Sequence, residues 1–221
     1  MLEPFKEEIL FQVIEEIMAT ENLDHLSIED QMLVFDTIAD SIRRYKGIEV
    51  KKFLDEIEKT IKKYFTHGPR SSLKMADFHK FIAETVLQII NELNQTPSNK
   101  YEYKLEMNVQ SINSSGNKRC DIVILKNGKP DIIFPVKFPI TNYKQNRNNS
   151  WENLTGEVNH LKWANDDLYI IPINILCHQT PYLTDGKKIK NFETITDDDI
   201  KNYKYLIRQN LCHDVINYIV D

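Results

Sequence analysis

Glycine and cysteine are both sparse in this sequence, and each scarcity removes a group of functions. The 6 glycines build no phosphate-cradling loop, no dinucleotide fingerprint and no nucleophile elbow, which sets aside the enzyme classes that depend on them. The 3 cysteines, Cys120, Cys177 and Cys212, are odd in number and far apart. They form no CxxC pair for zinc and no disulfide framework, and read as reduced thiols of a cytoplasmic protein. No apolar run is long enough to span a bilayer. The first residues are acidic and amphipathic, without the basic start and apolar stretch of a signal peptide, so a cytoplasmic protein off the membrane is expected. An excess of positive charge is also missing, the formal net charge being -5. Dedicated nucleic-acid binders are usually basic overall, yet phosphate binding needs only a local positive surface.

What the chain does have is an ordinary core-forming composition, 41% hydrophobic over 221 residues. That fits one globular domain, or one domain with a helical appendage. Residues 1–68 read as helical throughout. Phe5, Ile9, Val13 and Ile17 recur at helical spacing, Ser27 caps a second helix running towards Tyr45, and Val50 to Phe65 mark a third. The lysines of this third helix alternate with acids and predict a solvated face. This part carries no catalytic cluster and is expected to serve packing, dimerisation or an embrace of a ligand.

His67-Gly68-Pro69 breaks the pattern, so residues 69–221 are taken as a second region. A helix is expected from Ser72 to Leu93. The period then changes to two, with Tyr101, Tyr103, Leu105, Met107 and Val109 alternating with polar residues as in a half-buried strand. Turns at Ser114–Asn117 and Lys126–Lys129 bound strands at Cys120–Leu125 and Asp131–Phe138. A polar loop, a helix over Trp151–Ala164 and a strand over Leu168–Cys177 follow. A turn at Asp185-Gly186 and a helix starting near Asp197, capped by Thr196, complete the reading. The expected class is α/β, of α+β kind, with a mixed sheet flanked by helices.

The chemistry-bearing stretch is Cys120-Asp121-Ile122-Val123-Ile124-Leu125 followed by Ile132-Ile133-Phe134-Pro135-Val136-Lys137-Phe138. A carboxylate enters one apolar strand and a lysine lies in the middle of the next. Both are costly places for charge unless each finds a partner or a metal. Read singly, each residue is equally a strand-end acid or a lysine whose stem lies along apolar surface.

Together, in this order of elements over residues 75 to 180, they resemble the PD-(D/E)xK nuclease superfamily, the fold of type II restriction endonucleases. The resemblance implies a restriction-endonuclease-like core, Mg2+-dependent cleavage of double-stranded DNA, and a homodimer. It assigns Asp121 to the metal, Lys137 to the attacking water, and the main-chain carbonyl of Val136 as a further metal ligand. A hard cation takes oxygen ligands, and a neighbouring ammonium orients hydroxide and offsets charge on the phosphorane, so the implied roles are chemically coherent.

One position departs from the family pattern. The acid expected two residues before Lys137 is replaced by Pro135. The following helix offers Glu157 and Glu152 as the second acid. At about 100° per residue, Glu157 lies nearer the stripe of Trp151, Leu154, Val158 and Leu161, and is preferred. A solvent-facing helix acid is the plain reading of each.

Register makes a sharp expectation. A two-residue Asn127-Gly128 loop alone would pair Asp121 with Phe134 and turn it from Lys137. A three-residue loop, or a bulge of the same effect, pairs Asp121 with Pro135 and brings it to the face of Lys137.

Other acids rank lower. Pro130-Asp131 is the literal PD pair, but Asp131 begins the strand that already bears Lys137. Glu84 is a candidate accessory acid on the preceding helix, and Glu102 and Glu106 lie on the polar face of the first strand. His160 shares a helix with Glu157 without a third ligand at matching spacing. Residues 141–150 hold two basic residues, no acid and many amides. Lys144 and Arg147 are expected on DNA phosphates, with Gln145, Asn146 and Asn149 available to bases. Two other outcomes remain open: a non-specific, repair or phage-processing nuclease, and an inactive nuclease fold that binds DNA or assembles.

Overall fold

The computed structural model describes residues 48–68, 73–94, 96–184 and 188–220. The two helices expected before residue 47 lie outside the described residues. In chain order the elements are α1 (Ile48–His67), α2 (Leu73–Leu93), β1 (Tyr101–Gln110), β2 (Asn117–Lys126), β3 (Lys129–Phe134), β4 (Val136–Lys137) and α3 (Tyr143–Ala164). Then follow β5 (Tyr169–Ile170), β6 (Ile173–Cys177), β7 (Gln179–Thr184), β8 (Lys188–Thr194), α4 (Asp197–Ile200), α5 (Lys204–Arg208) and β9 (Ile216–Val220). This is a mixed α/β architecture. No described helix is long and apolar enough to cross a membrane.

The sheet begins as an antiparallel meander, β1-β2-β3, with β5 added in parallel to β3. β4, β6 and β9 form an all-parallel group. Two prolines separate the groups: Pro135 between β3 and β4, and Pro172 between β5 and β6. Neither can donate to a ladder. Their carbonyls carry the sheet across the break, accepting from Ile173 N (2.8 Å) and Ile216 N (2.8 Å) respectively. The expected single strands over Asp131–Phe138 and Leu168–Cys177 are therefore each divided at a proline.

The core lies on both faces of the sheet. Under α2, Phe78, Ile82, Val86 and Ile90 meet Ile122, Ile124, Ile132 and Phe134, and Ile57 of α1 joins the same cluster. The Phe53 ring lies 5.9 Å from Phe78 and 5.0 Å from Tyr218, so α1 packs on both α2 and the last strand. Under α3, Leu154, Val158 and Leu161 meet Val123, Leu125, Ile133 and Ile170. The stripe expected for this helix is the one buried.

Two local expectations need correction. The presumed polar loop 141–150 is helical from Tyr143 onward, so α3 starts two turns early. Tyr143 anchors that start because its side chain is fully buried, a constraint that local polarity does not reveal. The chain end also holds a strand, β9, that pairs with β6 and was not expected. Thr196 does cap the helix at Asp197, its N–H donating to Asp199 Oδ2 at 3.0 Å.

Candidate active site

Asp121 is positioned by two irregularities in the meander. The first is the β2–β3 hairpin. Asn127 (φ 53°) and Gly128 (φ 80°) form a two-residue loop with Lys126 opposite Lys129. By itself that register would turn Asp121 from Lys137. A bulge then shifts the pairing, so that Leu125 faces Pro130 while Ile124 faces Ile132. Asp131 is the extra residue, and beyond the bulge Ile122 pairs with Phe134. The next rung brings Asp121 to Pro135. The bulge alternative is the one observed, and Asp131, the literal PD acid, makes it.

At that rung the ladder stops because Pro135 has no N–H. Val136 N–H instead donates to Asp121 Oδ2 at 2.8 Å. The carboxylate thus occupies the gap where β3 parts from β2.

The second irregularity faces it on β1. Leu105 pairs with Ile122 and Met107 with Cys120, leaving Glu106 opposite Asp121 without a ladder pairing. Glu106 has φ 52°, a left-handed conformation that a residue with a Cβ adopts at a cost. Both strands change faces here. Tyr103 and Leu105 pack under α2 whereas Met107 lies with the α3 core, and Ile122 and Cys120 divide the same way. Backbone strain of this kind concentrates at functional sites.

Two clusters of polar groups converge on this gap. On the α2 side, His79 Nδ1 lies 3.2 Å from Glu106 Oε1. Ligand atoms of His79, Glu106 and Asp121 all fall within 4.8 Å of one another. His79 is buried, and its Nε2 has no hydrogen-bond partner. Arg119 Nε holds the other Glu106 oxygen at 2.9 Å. Two carboxylates and an imidazole at this spacing could hold a divalent cation, and the imidazole shifts preference toward Mn2+, Co2+ or Zn2+ relative to Mg2+.

On the α3 side, Lys137 Nζ donates to Glu157 Oε2 at 3.1 Å, with Lys118 Nζ 3.6 Å from the same oxygen. Glu157 is buried, its side chain only 6% exposed. Burial alone would lower the affinity of Lys137 for its proton. The carboxylates of Glu157 and Asp121 outweigh it and hold the ammonium above its ordinary value. Lys137 therefore stays charged, able to donate hydrogen bonds but not to act as a neutral base. Neighbouring Cys120 is the reverse case. Burial, then Glu157 and Asp121, push its thiol up to about 12, which rules out a thiolate nucleophile.

Comparison with family models, with curated proteins and with solved structures returns no match. The site therefore rests on its own geometry.

The remaining predicted residues are placed as follows. Glu152 is exposed on α3. Val136 is buried and pairs with Ile173. Lys144, Gln145, Asn146 and Asn149 are exposed on the first turns of α3. Arg147 is engaged with Asp199, Nη1 to Oδ1 at 2.8 Å, and Lys144 Nζ lies 3.8 Å from the same carboxylate. Glu84 accepts from the Tyr103 hydroxyl at 3.3 Å and is otherwise exposed. His160 stacks 5.8 Å from Trp163.

Sequence reasoning passed over His79 and ranked Glu106 last. A histidine beside Phe78 on an apolar helix face reads as packing. Glu106 gains its meaning only from the β1–β2 connection, where Gln110 pairs with Asn117 and the loop spans 111–116 rather than Ser114–Asn117.

Proposed function

We propose that this chain is a divalent-metal-dependent endonuclease of the restriction-endonuclease-like kind, hydrolysing phosphodiester bonds of double-stranded DNA as a homodimer. The observation that carries the reading is Asp121, set in the gap opened by Pro135 between the His79–Glu106 pair and the Lys137–Glu157 pair.

Asp121, Glu106 and His79 are the side chains suited to hold the cation, with the Val136 carbonyl as a further ligand. Bound there, a divalent cation supplies Lewis acidity toward a phosphoryl oxygen and lowers the pKa of a coordinated water. Val136 N–H fixes the Asp121 carboxylate through Oδ2, so that Oδ1 would be available to a cation. Lys137, held charged, orients the attacking water and offsets the charge that gathers on the pentacovalent phosphate. Glu157 sets the position of Lys137, and is the acid of this helix that would be available to a cation at the gap. Glu152 is the weaker choice because it faces solvent. Lys144, Gln145, Asn146 and Asn149 form the near edge of the DNA-facing surface. Mg2+ is the expected physiological ion, with Mn2+ supporting activity through the imidazole.

A second reading is favoured by one observation, the absence of an acid at Pro135: an inactive nuclease fold that binds DNA. The deciding experiment is incubation of the purified chain with plasmid and phage DNA plus Mg2+ or Mn2+, beside Asp121→Ala and Lys137→Ala. Discrete fragments from the unaltered chain, lost in both variants, support a restriction enzyme. A smear points to a non-specific or repair nuclease. Binding without cleavage under either metal supports the inactive fold.

A further inference from the structure

β7 and β8 form a two-stranded ribbon that hydrogen-bonds to no other strand among the described residues. A ribbon of this size is marginal alone, and here its base is fastened. The Asn142 side chain imitates a strand, its Oδ1 accepting from Leu183 N at 2.9 Å and its Nδ2 donating to Leu183 O at 3.0 Å. Asn142 N also donates to Pro181 O at 3.0 Å, and Glu193 Oε2 accepts from Lys144 N at the start of α3 at 3.1 Å.

Away from this base β7 is half-buried, whereas β8 lies open among the described residues. Every residue of β8 except Glu193 is exposed, including Ile189 at 54% and Phe192 at 56%. Such large apolar side chains in the open mark an interaction surface. They alternate with Lys188 and Lys190, and Lys190 Nζ lies over the Tyr182 ring at 6.0 Å. Lys190 is the extra residue of a bulge, since Tyr182 pairs with Asn191 and Leu183 with Ile189. A bulge twists a ribbon and re-aims the side chain it carries. Among the described residues of the ribbon Glu193 is the sole acid, and it is spent on the α3 backbone. One face of the ribbon, with Lys188, Lys190 and Asn191, is therefore positive and amide-bearing, and the other carries Ile189 and Phe192, on a chain whose net charge is -5.

We propose that the β7–β8 ribbon is a duplex-DNA groove arm, with Lys188 and Lys190 on phosphates and Asn191, on the same face, toward the base edges. The proposal deepens the nuclease reading and rests on it for the choice of partner. A major groove admits a two-stranded ribbon, and the surface offers the positive charge that a polyphosphate requires. The arm is tied through Asn142 and Lys144 to the start of α3, and Asn142 lies five residues after Lys137. Contact by the ribbon thus fixes where the strand meets the gap at Asp121.

The test measures binding in EDTA, which separates it from chemistry. A labelled mixed-sequence 30-base-pair duplex is titrated with the full chain, with Lys188→Ala/Lys190→Ala and with Asn191→Ala, across a salt series. Lys100→Ala/Lys129→Ala, which removes equal charge elsewhere, is the control. The expected result is a loss of about tenfold or more in the ribbon lysine variant, with a salt slope smaller by about two, from roughly 0.9 per phosphate contact. Asn191→Ala should weaken binding without changing the slope, and the control should match the unaltered chain. Equal affinity and slope in ribbon and control variants overturn the proposal. So does an altered sedimenting mass with DNA binding intact, which assigns the ribbon to contact between copies, and so does the absence of any duplex binding. Metal-dependent hydrolysis of bis(p-nitrophenyl) phosphate, abolished by Asp121→Ala and unaffected by the ribbon substitutions, reports on the nuclease reading separately. Retained hydrolysis with failed ribbon tests rejects the arm and keeps the site.

Discussion

Val136 gives its backbone N–H to Asp121 Oδ2 at 2.8 Å, across the point where their strands part. Because Pro135 can donate nothing, the carboxylate takes a place that an unbroken ladder would close. The proline that interrupts the ladder also opens the gap in which Asp121 sits. That gap makes the metal reading testable without catalysis.

Mn2+ should raise the thermal stability of the chain, by about 2.7 kcal/mol at a hundredfold excess over Kd. Asp121→Asn should abolish the shift, and His79→Ala should weaken Mn2+ binding by at least about tenfold. Co2+ should give a visible absorption band that His79→Ala alters. An unchanged Mn2+ titration in both variants would remove His79 and Asp121 from any metal site.

Glu106 allows backbone strain to be separated from side-chain chemistry. Glu106→Gly and Glu106→Ala both lose the contacts to His79 and Arg119, but only glycine accepts φ 52° freely. Glu106→Gly should therefore be more stable than Glu106→Ala by about 1 kcal/mol in urea unfolding, while both lose metal affinity. Equal stabilities would mean that the strain is absent.

Glu157→Gln removes the charge that partners Lys137 and Lys118. With Lys137 still confined in the gap, the variant should lose about 1–3 kcal/mol of stability. Lys137→Met/Glu157→Gln should lose less than the two single changes together, because no unpaired ammonium remains. Strict additivity in the double-mutant cycle would show that the pair is not coupled.

His213 predicts an acid limit. Its Nδ1 accepts the Ile170 N–H at 3.3 Å, which demands a neutral ring. Burial, with nearby Lys162, lowers its pKa to about 4 from the usual 6.5. The unfolded chain therefore takes up this proton first, and the stability tied to neutral His213 is full above pH 6.5 and is lost as pH falls towards 4. The melting temperature should drop over that window, and His213→Asn should flatten the drop. An identical pH profile for the variant would place the acid sensitivity elsewhere.

The sequence by itself determined the mixed α/β class, the buried stripe of α3 and the order of elements from α2 to β6. Each follows from local periodicity, because a side chain's burial on a helix or strand is set by its spacing to near neighbours. It also singled out Asp121 and Lys137, since isolated charges within apolar strands require a partner. It favoured Glu157 over Glu152 from helix geometry alone, and the burial of Glu157 beside Lys137 follows the same angle.

Only the tertiary structure decided what meets Asp121. The bulge at Asp131 and the face change at Glu106 are single-residue events, and each reverses which side every later residue faces. Local propensity barely registers such events, because the bulge is fixed by packing on both faces of the sheet. His79 lies 42 residues from Asp121 in sequence and reaches the gap only because α2 crosses the sheet there. The early start of α3 has the same origin: a buried Tyr143 and the Asn142 bonds to Leu183 outweigh a polar sequence that alone reads as loop.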